Sequence, residues 1–164
     1  MEKSLKLSLI GILVFVTLCF GIKQTSVYAD GIVQQTITVY PDNGTADLYD
    51  NSGNKISGVE IAANTNLAVN EIKTINNVEY YRVAENRWIK TSDVYLYKMS
   101  LLKIKAKSKS YVNLVNAHGK EITNRGLSGD SVWKIDKVVE INGKKYYRVA
   151  TNEFISAQNV SIIN

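Results

Sequence analysis

The sequence predicts an all-β protein built from two tandem repeats, each a small, strongly bent barrel of the SH3-like kind. One observation behind this prediction is a nine-residue stretch that recurs 66 positions later with few changes. A second is that the apolar residues after the first thirty never keep the 3.6-residue period of a helix. The third is the size of the unit, about 65 residues of short strands and tight turns, which suits a small β-barrel.

Residues 1–29 are expected to be a secretory signal peptide and not part of the fold. Two lysines precede an apolar run over 7–22, and small residues stand at positions −3 and −1 of a cleavage site after Ala29. The run is shorter than the ~20 residues that span a membrane, so an uncut anchor is the weaker alternative. A lipoprotein signal at Cys19 is a minor alternative, because Leu18 stands where a small residue is needed. No membrane span is expected after cleavage.

The chain after the signal contains no cysteine and one histidine, which excludes several kinds of site. A disulfide framework, a cysteine-based zinc site and a thiol nucleophile all need cysteine. His118 has no second histidine with which to share a metal ion. It precedes a glycine in a predicted turn, so a solvated loop position is expected. No metal and no cofactor are expected.

An internal duplication organises the rest of the chain. The segment Asn-Asn-Val-Glu-Tyr-Tyr-Arg-Val-Ala at 76–84 returns as Asn-Gly-Lys-Lys-Tyr-Tyr-Arg-Val-Ala at 142–150. The offset of 66 holds without a gap over some fifty residues and aligns apolar positions with apolar positions. The sequence therefore predicts a first repeat at 30–98 and a second repeat at 99–164.

Each repeat is predicted to consist of short strands joined by tight turns. In the first, the strand 46–49 leads into an Asp-Asn-Ser-Gly turn, and 111–115 is the corresponding strand of the second. The β-rich run 132–139 is joined to the strand 146–149 by Asn-Gly, a strong hairpin signal. The link 95–102 is apolar and lacks Pro and Gly. It predicts one strand running on into the next, with the two repeats packed together.

The duplicated segment and its surroundings resemble a known family. The stretch Asn-Gly-Lys-Lys-Tyr-Tyr-Arg-Val at 142–149, followed by 154–160, resembles the SLAP domain, the repeated C-terminal module of surface-layer proteins in Gram-positive lactic-acid bacteria. The first repeat is similar at 49–55, 80–83 and 88–94. The resemblance implies non-covalent attachment to anionic wall polymers, such as teichoic or lipoteichoic acid, at the surface of a Gram-positive bacterium. Surface-layer or other surface proteins are the further partners that it implies.

Charge is distributed unevenly between the repeats. After the signal the net charge is +3, with −4 over 30–96 and +7 over 97–164. A basic surface concentrates polyanions by long-range attraction and counterion release. Together with the resemblance, which implies wall attachment, this makes an anionic wall polysaccharide the expected partner, and nucleic acid is not expected. Alternation along a strand would place four lysines on one face, although a charged edge strand that blocks aggregation is the alternative. These lysines are Lys103, Lys105, Lys107 and Lys109.

The duplicated segment supplies further candidate polymer-binding residues. Tyr80 shares a strand face with Arg82, and Tyr146 shares one with Arg148. A ring beside a guanidinium suits joint recognition of a sugar and a phosphate, and a cross-strand packing pair is the equally weighted alternative. Two more candidates are Lys144 and Lys145. The aromatic residues expected in the core are Tyr81, Tyr147, Trp88 and Phe154.

These observations favour a secreted, non-catalytic protein that binds the cell wall. An adhesin-like surface protein, with the acidic first repeat binding another protein, is one alternative. A wall hydrolase is another, since two of the carboxylates Asp47, Asp50 and Glu60 would suit acid–base catalysis as a pair. Asp47 and Asp50 do not recur, however, because Asn113 and Asn116 stand at the matching positions of the second repeat.

Overall fold

The computed structural model describes residues 35–163, and these form sixteen β-strands and two single-turn 3₁₀ helices. The described residues belong to one compact unit. The predicted signal peptide at 1–29 lies outside them. Over the described range, no helix has the length and apolar character needed to cross a membrane. The prediction of an all-β protein is confirmed.

The strands are short in both repeats and follow one another in the same order. The first repeat contains β1 (Gln35–Val39), β2 (Thr45–Tyr49), β3 (Lys55–Ala62), β4 (Asn66–Val69), β5 (Ile72–Ile75), β6 (Val78–Ala84), β7 (Arg87–Lys90), a 3₁₀ helix (Thr91–Asp93) and β8 (Val94–Met99). The second contains β9 (Lys103–Ala106), β10 (Tyr111–Val115), β11 (Glu121–Ser128), β12 (Val132–Lys134), β13 (Lys137–Ile141), β14 (Lys144–Ala150), β15 (Glu153–Ser156), a 3₁₀ helix (Ala157–Asn159) and β16 (Val160–Ile163).

The two repeats share one pattern of strand pairing. Each has a five-stranded arrangement, β3-β2-β7-β6-β5 in the first and β11-β10-β15-β14-β13 in the second. Each also has a three-stranded arrangement, β4-β1-β8 in the first and β12-β9-β16 in the second. The three strands of the first repeat join the five of the second, because β8 pairs antiparallel with β13. One eight-stranded sheet therefore crosses from repeat to repeat.

The predicted SH3-like barrels are not confirmed, because none of the three sheets closes on itself over residues 35–163. The reason lies in the partner of β8. This strand pairs with β13 of the other repeat, so that Met99 lies opposite Lys137 and Lys98 opposite Val138. Within the first repeat β5 is left as a sheet edge. The repeats are joined by backbone hydrogen bonds, which confirms that they pack together.

Equivalent residues in the first strands of the two repeats are separated by one position more than equivalent residues in the other strands. Thr38 pairs with Tyr95 in the first repeat, and Lys105 pairs with Ser161 in the second. Tyr95 and Ser161 are 66 positions apart, whereas Thr38 and Lys105 are 67 apart. The connection from β1 to β2 is thus one residue longer than that from β9 to β10, and the register of the strands is preserved.

Each repeat buries its own apolar core between its two sheets. The core of the first is centred on Leu48 and Ile89, and that of the second on the equivalent residues Leu114 and Ile155. A third cluster lies where the repeats meet, and we call it the inter-repeat cluster. Its buried members are Tyr95 of the first repeat and Ala117, Val139, Ile141 and Phe154 of the second, with Tyr40 and Tyr97 packed against them.

The hairpin turns confirm the turn chemistry that the sequence predicts. Asn142 and Gly143, between β13 and β14, have φ of 51° and 71°. Asn76 and Asn77, between β5 and β6, have φ of 51° and 63°. Two consecutive positive φ values define the two-residue turn that matches the twist of an antiparallel hairpin. Asparagine and glycine are the residues that adopt this conformation most readily.

Candidate functional site

The central strand of the second repeat's three-stranded sheet carries part of the predicted lysine face. Lys103 and Lys105 on β9 are exposed, whereas Ile104 and Ala106 between and after them are buried. The predicted alternation is therefore confirmed within the strand. β9 ends at Ala106, however, so the other two lysines lie in the loop that follows. Those lysines, Lys107 and Lys109, are also exposed.

Two of these exposed lysines have local partners that are weakly held. Lys105 Nζ lies 3.0 Å from Asp130 Oδ1 in an ion pair whose side chains are both largely exposed. Lys107 Nζ donates a 3.1 Å hydrogen bond to the backbone oxygen of Gln158. An exposed ion pair contributes only about 0–1 kcal/mol. Both lysines can therefore exchange these partners for an external anion at little cost.

A concave site lies beside the lysine loop, and we call it the polar groove. Its volume is about 480 Å³, within the roughly 300–1,000 Å³ of small-ligand clefts. Tyr111 at the start of β10 is 52% exposed. The groove is lined by Lys107, Ser108, Tyr111, Val112, Asn113, Gln158 and Asn159. Sequence reasoning missed it, because strand and loop residues far apart in the chain form it together.

The corresponding loop of the first repeat is occupied by the second repeat. Tyr40 is the equivalent of Lys107 in the second repeat. The backbone NH of Tyr40 donates to the Asp93 carbonyl at 3.0 Å, and that of Lys107 donates to the equivalent Asn159 carbonyl. The Tyr40 ring stacks on His118 of the second repeat, with centroids 4.0 Å apart. His118 Nε2 also lies 3.2 Å from Asp42 Oδ1. His118 lies in an exposed turn, as expected, and it also contacts the other repeat, which was not predicted.

The predicted tyrosine–arginine faces are packed within the protein. Tyr80 is 4% exposed and lies edge-on to Tyr49, with ring centroids 5.1 Å apart. Tyr146 is half-buried against the inter-repeat cluster. Neither ring is therefore presented as an open platform for a sugar. On the opposite faces, Tyr147 is buried and Tyr81 packs against the first repeat's core, as predicted. Trp88 and Phe154 are buried as well, but on the same faces as Tyr80 and Tyr146.

The two arginines of those faces are bound to acidic residues. Arg148 Nε donates a 2.8 Å hydrogen bond to Asp136 Oδ1, and a second nitrogen reaches the other carboxylate oxygen. This pairing lowers the pKa of Asp136 below its usual value and raises that of Arg148. Arg82 Nε lies 3.0 Å from Glu71 Oε2, and its guanidinium also donates to Asn70. Both guanidinium groups would have to leave a carboxylate before binding a phosphate.

Arg82 lines a second and wider groove, of about 730 Å³, on the first repeat. Its other lining residues include Asn70 and Glu85. A carboxylate in this groove repels anions. The wider groove is therefore less suited to a polyanion than the polar groove of the second repeat.

The two remaining candidate lysines lie on a different sheet. Lys144 and Lys145 are exposed on β14, which belongs to the eight-stranded sheet. Lys145 Nζ lies 5.4 Å from the centre of the Tyr147 ring. Lys103 and Lys105 lie on the separate sheet β12-β9-β16. The structure thus does not bring the predicted lysines together on one sheet.

One lysine of the second repeat is removed from the surface altogether. Lys137 is 2% exposed, and its Nζ donates to Thr38 Oγ1 at 2.6 Å and Asn66 Oδ1 at 2.5 Å. The ring of Tyr97 lies 4.0 Å from the same nitrogen. Burial lowers the pKa of Lys137 to about 8, with a further contribution from Arg148. Lys137 therefore joins the repeats and is not part of a polymer-binding face.

The carboxylates considered for a hydrolase stabilise local structure. Asp50 Oδ1 accepts hydrogen bonds from the backbone of Ser52 at 2.8 Å and Asn54 at 2.9 Å, and these bonds lower its pKa. Asp47 lies 2.7 Å from Lys55 Nζ. Within residues 35–163, no three His, Cys, Asp or Glu side chains are grouped so as to hold a metal ion.

Comparison with known proteins gives a family match and two structural likenesses. A family model described as the surface layer protein A domain matches residues 43–92 and 96–158. One matching solved structure, titled "Endolysin LysPBC5 CBD", has a TM-score of 0.30 and 18% identity, covering 79% of this chain and 93% of that chain. A putative autolysin from Listeria monocytogenes has a TM-score of 0.30 and 16% identity, covering 80% of this chain and 64% of that chain. No curated protein matches the chain.

The two segments that match the family model correspond to the two halves of the fold. The first segment covers β2 to β7, and the second reaches from β8 through β15. Together they cover more than half of the chain. The chain therefore belongs to the surface layer protein A domain family, as its resemblance to the SLAP domain predicted, and it carries two copies of that domain.

Proposed function

We propose that this is a secreted, non-catalytic protein that attaches to the wall of a Gram-positive bacterium by binding anionic polymers, teichoic or lipoteichoic acid. Family membership supports a role at the cell surface. One observation carries the proposal further: four lysines on β9 and the following loop are exposed close together in the chain, whereas both candidate arginines are paired with carboxylates. These four are Lys103, Lys105, Lys107 and Lys109.

The charge of the two repeats supports the same assignment. The second half carries +7 and the first −4, so an incoming polyanion is attracted to the second repeat. Each phosphate neutralised by a lysine releases counterions, and the affinity gained in this way falls as salt rises. The first repeat then acts as a packing partner, or it binds a surface-layer or other surface protein. The proposal includes signal cleavage after Ala29 and repeats at 30–98 and 99–164.

The test is binding of the chain 30–164 to purified cell walls before and after their teichoic acids are removed. Retention on intact walls, loss on stripped walls and weakening between about 50 and 200 mM salt are expected. Intact mass of the secreted protein checks the cleavage site. Equal binding to intact and stripped walls would contradict the proposal, because the remaining peptidoglycan would then be the ligand.

A further inference from the structure

We propose that the polar groove of the second repeat binds one unit of a polyol-phosphate or glycosyl-phosphate chain and thereby selects the polymer. The inference rests on the proposed function and adds to it a site that recognises more than charge. A lysine-covered surface alone binds any polyanion. Selectivity requires polar groups fixed in a cleft that match the hydroxyls between the phosphates.

The lining of the groove combines three kinds of group that such a unit needs. Lys107 supplies a cation for a phosphate oxygen, and a hydrogen bond in which both partners are charged is stronger than its present bond to a neutral carbonyl. Hydroxyl and amide side chains both donate and accept, as polyol hydroxyls do. Tyr111, half-exposed at the rim, offers an aromatic face to C–H groups. The hydroxyl and amide side chains are Ser108, Asn113, Gln158 and Asn159.

The loop that forms one wall of the groove is held in place by neighbouring backbone. Lys107 NH donates to the Asn159 carbonyl at 2.9 Å, and Gly129 NH donates to the Ser110 carbonyl at 2.9 Å. Gly129 packs so closely that a Cβ there would come within 2.3 Å of the Ser108 carbonyl oxygen. The groove is therefore shaped before a ligand arrives, which lowers the entropy lost on binding.

Opposite the loop, hydrogen bonds also fix the other wall. Asn113 Nδ2 donates to Glu121 Oε1 at 2.5 Å, which holds the amide at the groove. Gln158 NH donates to Ser156 Oγ at 3.3 Å, at the start of the 3₁₀ helix. Both walls are thus built from residues whose positions are set by the second repeat itself.

The equivalent positions of the first repeat are less suited to such a ligand. Tyr40 takes the place of Lys107 and is stacked on His118. Asp47 and Asp93 take the places of Asn113 and Asn159, and carboxylates repel a phosphate chain. The contact of Tyr40 with the second repeat and the two carboxylates both disfavour binding of a phosphate chain at these positions.

The experiment compares two soluble probes with the chain 30–164 and its variants. One probe is a poly(glycerol phosphate) chain, and the other is inorganic polyphosphate with the same number of charges. Tyr111→Ala should weaken binding of poly(glycerol phosphate) by about tenfold, the size of one lost aromatic–ligand contact, and leave polyphosphate binding within twofold. The matched control Lys103→Gln/Lys105→Gln should weaken binding of both probes equally.

Four outcomes overturn the inference or support it. Equal weakening of both probes by Tyr111→Ala would show that the groove is only part of a charged surface, and the proposed wall binding would stand. Binding of neither probe by the unaltered chain would overturn both proposals. As a readout independent of the variant's folding, glycerol 3-phosphate should shift the backbone amide resonances of Gln158 and Asn159. Shifts at 40–44 instead would contradict the assignment to the second repeat.

Discussion

The two repeats have the same strand order but differ in which of their surfaces is covered. The first uses β8 and the loop around Tyr40 to hold the second. The second leaves its equivalents, β16 and the loop around Lys107, on the surface. In this protein the contact between the repeats covers one end of each unit. The covered ends carry apolar and aromatic residues that pack against each other. The open end of the second repeat carries exposed lysines instead.

The clearest divergence is on the outer face of the five-stranded arrangement. In the first repeat this face holds Tyr49, Tyr80 and Trp88 as a small cluster. It is closed by local contacts: Trp88 Nε1 donates to Asn51 Oδ1 at 2.7 Å, and Lys73 Nζ lies 5.7 Å from the Trp88 ring. The first repeat therefore covers its own aromatic residues and needs no partner at this face.

In the second repeat the same positions make a face that requires a partner. Val115 replaces the tyrosine, Phe154 the tryptophan, Ala117 the asparagine and Val139 the lysine. The smaller, apolar residues leave room for Tyr95 of the first repeat, whose ring meets Phe154 edge-on at 5.8 Å. An uncovered apolar face of this kind would be an interaction site, and here the first repeat occupies it.

The largest expected effect is the loss of wall binding when the exposed lysines of the second repeat are neutralised, compared with the same charge removal in the first repeat. Replacing Lys103, Lys105, Lys107 and Lys109 by Gln should weaken wall binding by about 10²–10³-fold, since each lysine near an anionic surface contributes roughly 1 kcal/mol. The salt dependence should become shallower, because fewer counterions are released. The matched control removes four positive charges from the first repeat and should change wall binding little. Its substitutions are Lys55→Gln, Lys73→Gln, Arg87→Gln and Lys90→Gln. Equal losses in the two variants would show that net charge, and not the second repeat's surface, determines binding.

The next effect exchanges one residue between the two outer faces. Val139→Lys places a charge in the buried inter-repeat cluster and should lower the free energy of unfolding by about 3 kcal/mol, the cost of an uncompensated buried charge. The reverse exchange, Lys73→Val, is made at an exposed position. It should change the free energy of unfolding by less than about 1 kcal/mol. Denaturant melts of both variants measure the difference. If the two variants change the free energy of unfolding by similar amounts, the outer faces of the two repeats are equally exposed and the comparison fails.

A smaller effect concerns the buried lysine that joins the repeats. The pKa of Lys137 is lowered to about 8 in the fold, below its value in the unfolded chain. Between those two pKa values the unfolded chain binds the proton and the folded one does not, so stability rises with pH. Relative to Lys137→Met, the unaltered protein should gain about 2 kcal/mol from pH 7 to pH 9.5. Exposed Lys134→Met is the control and should show no such pH-dependent difference from the unaltered protein. A stability difference between the unaltered protein and Lys137→Met that does not change with pH would mean that Lys137 keeps its proton over this range.

How much the sequence predicts depends on whether a feature is local. The hairpin at Asn142 and the alternation along β9 follow from local backbone chemistry, and both are as predicted. Burial of Lys137 was not predicted, because its partners Thr38 and Asn66 are 99 and 71 positions away. The open sheets were missed for the same reason, since the strand that pairs with β8 belongs to the other repeat. Periodicity shows which residues share a face, and only the tertiary structure shows what covers that face.

The smallest expected effect tests whether the ion pair of Lys105 restrains binding. Asp130 accepts from Lys105 at 3.0 Å on the open end of the second repeat, and Asp47 pairs with Lys55 at 2.7 Å on the first. Asp130→Asn frees the lysine and should strengthen wall binding by about fivefold, equivalent to roughly 1 kcal/mol for one more available cation. The φ of 57° at this position is tolerated by Asn, so stability should change by less than about 0.5 kcal/mol. Asp47→Asn makes the same charge change on the first repeat and should leave wall binding unaltered. If both variants bind more tightly by the same factor, overall charge steers the polymer and the open end has no special part in binding it.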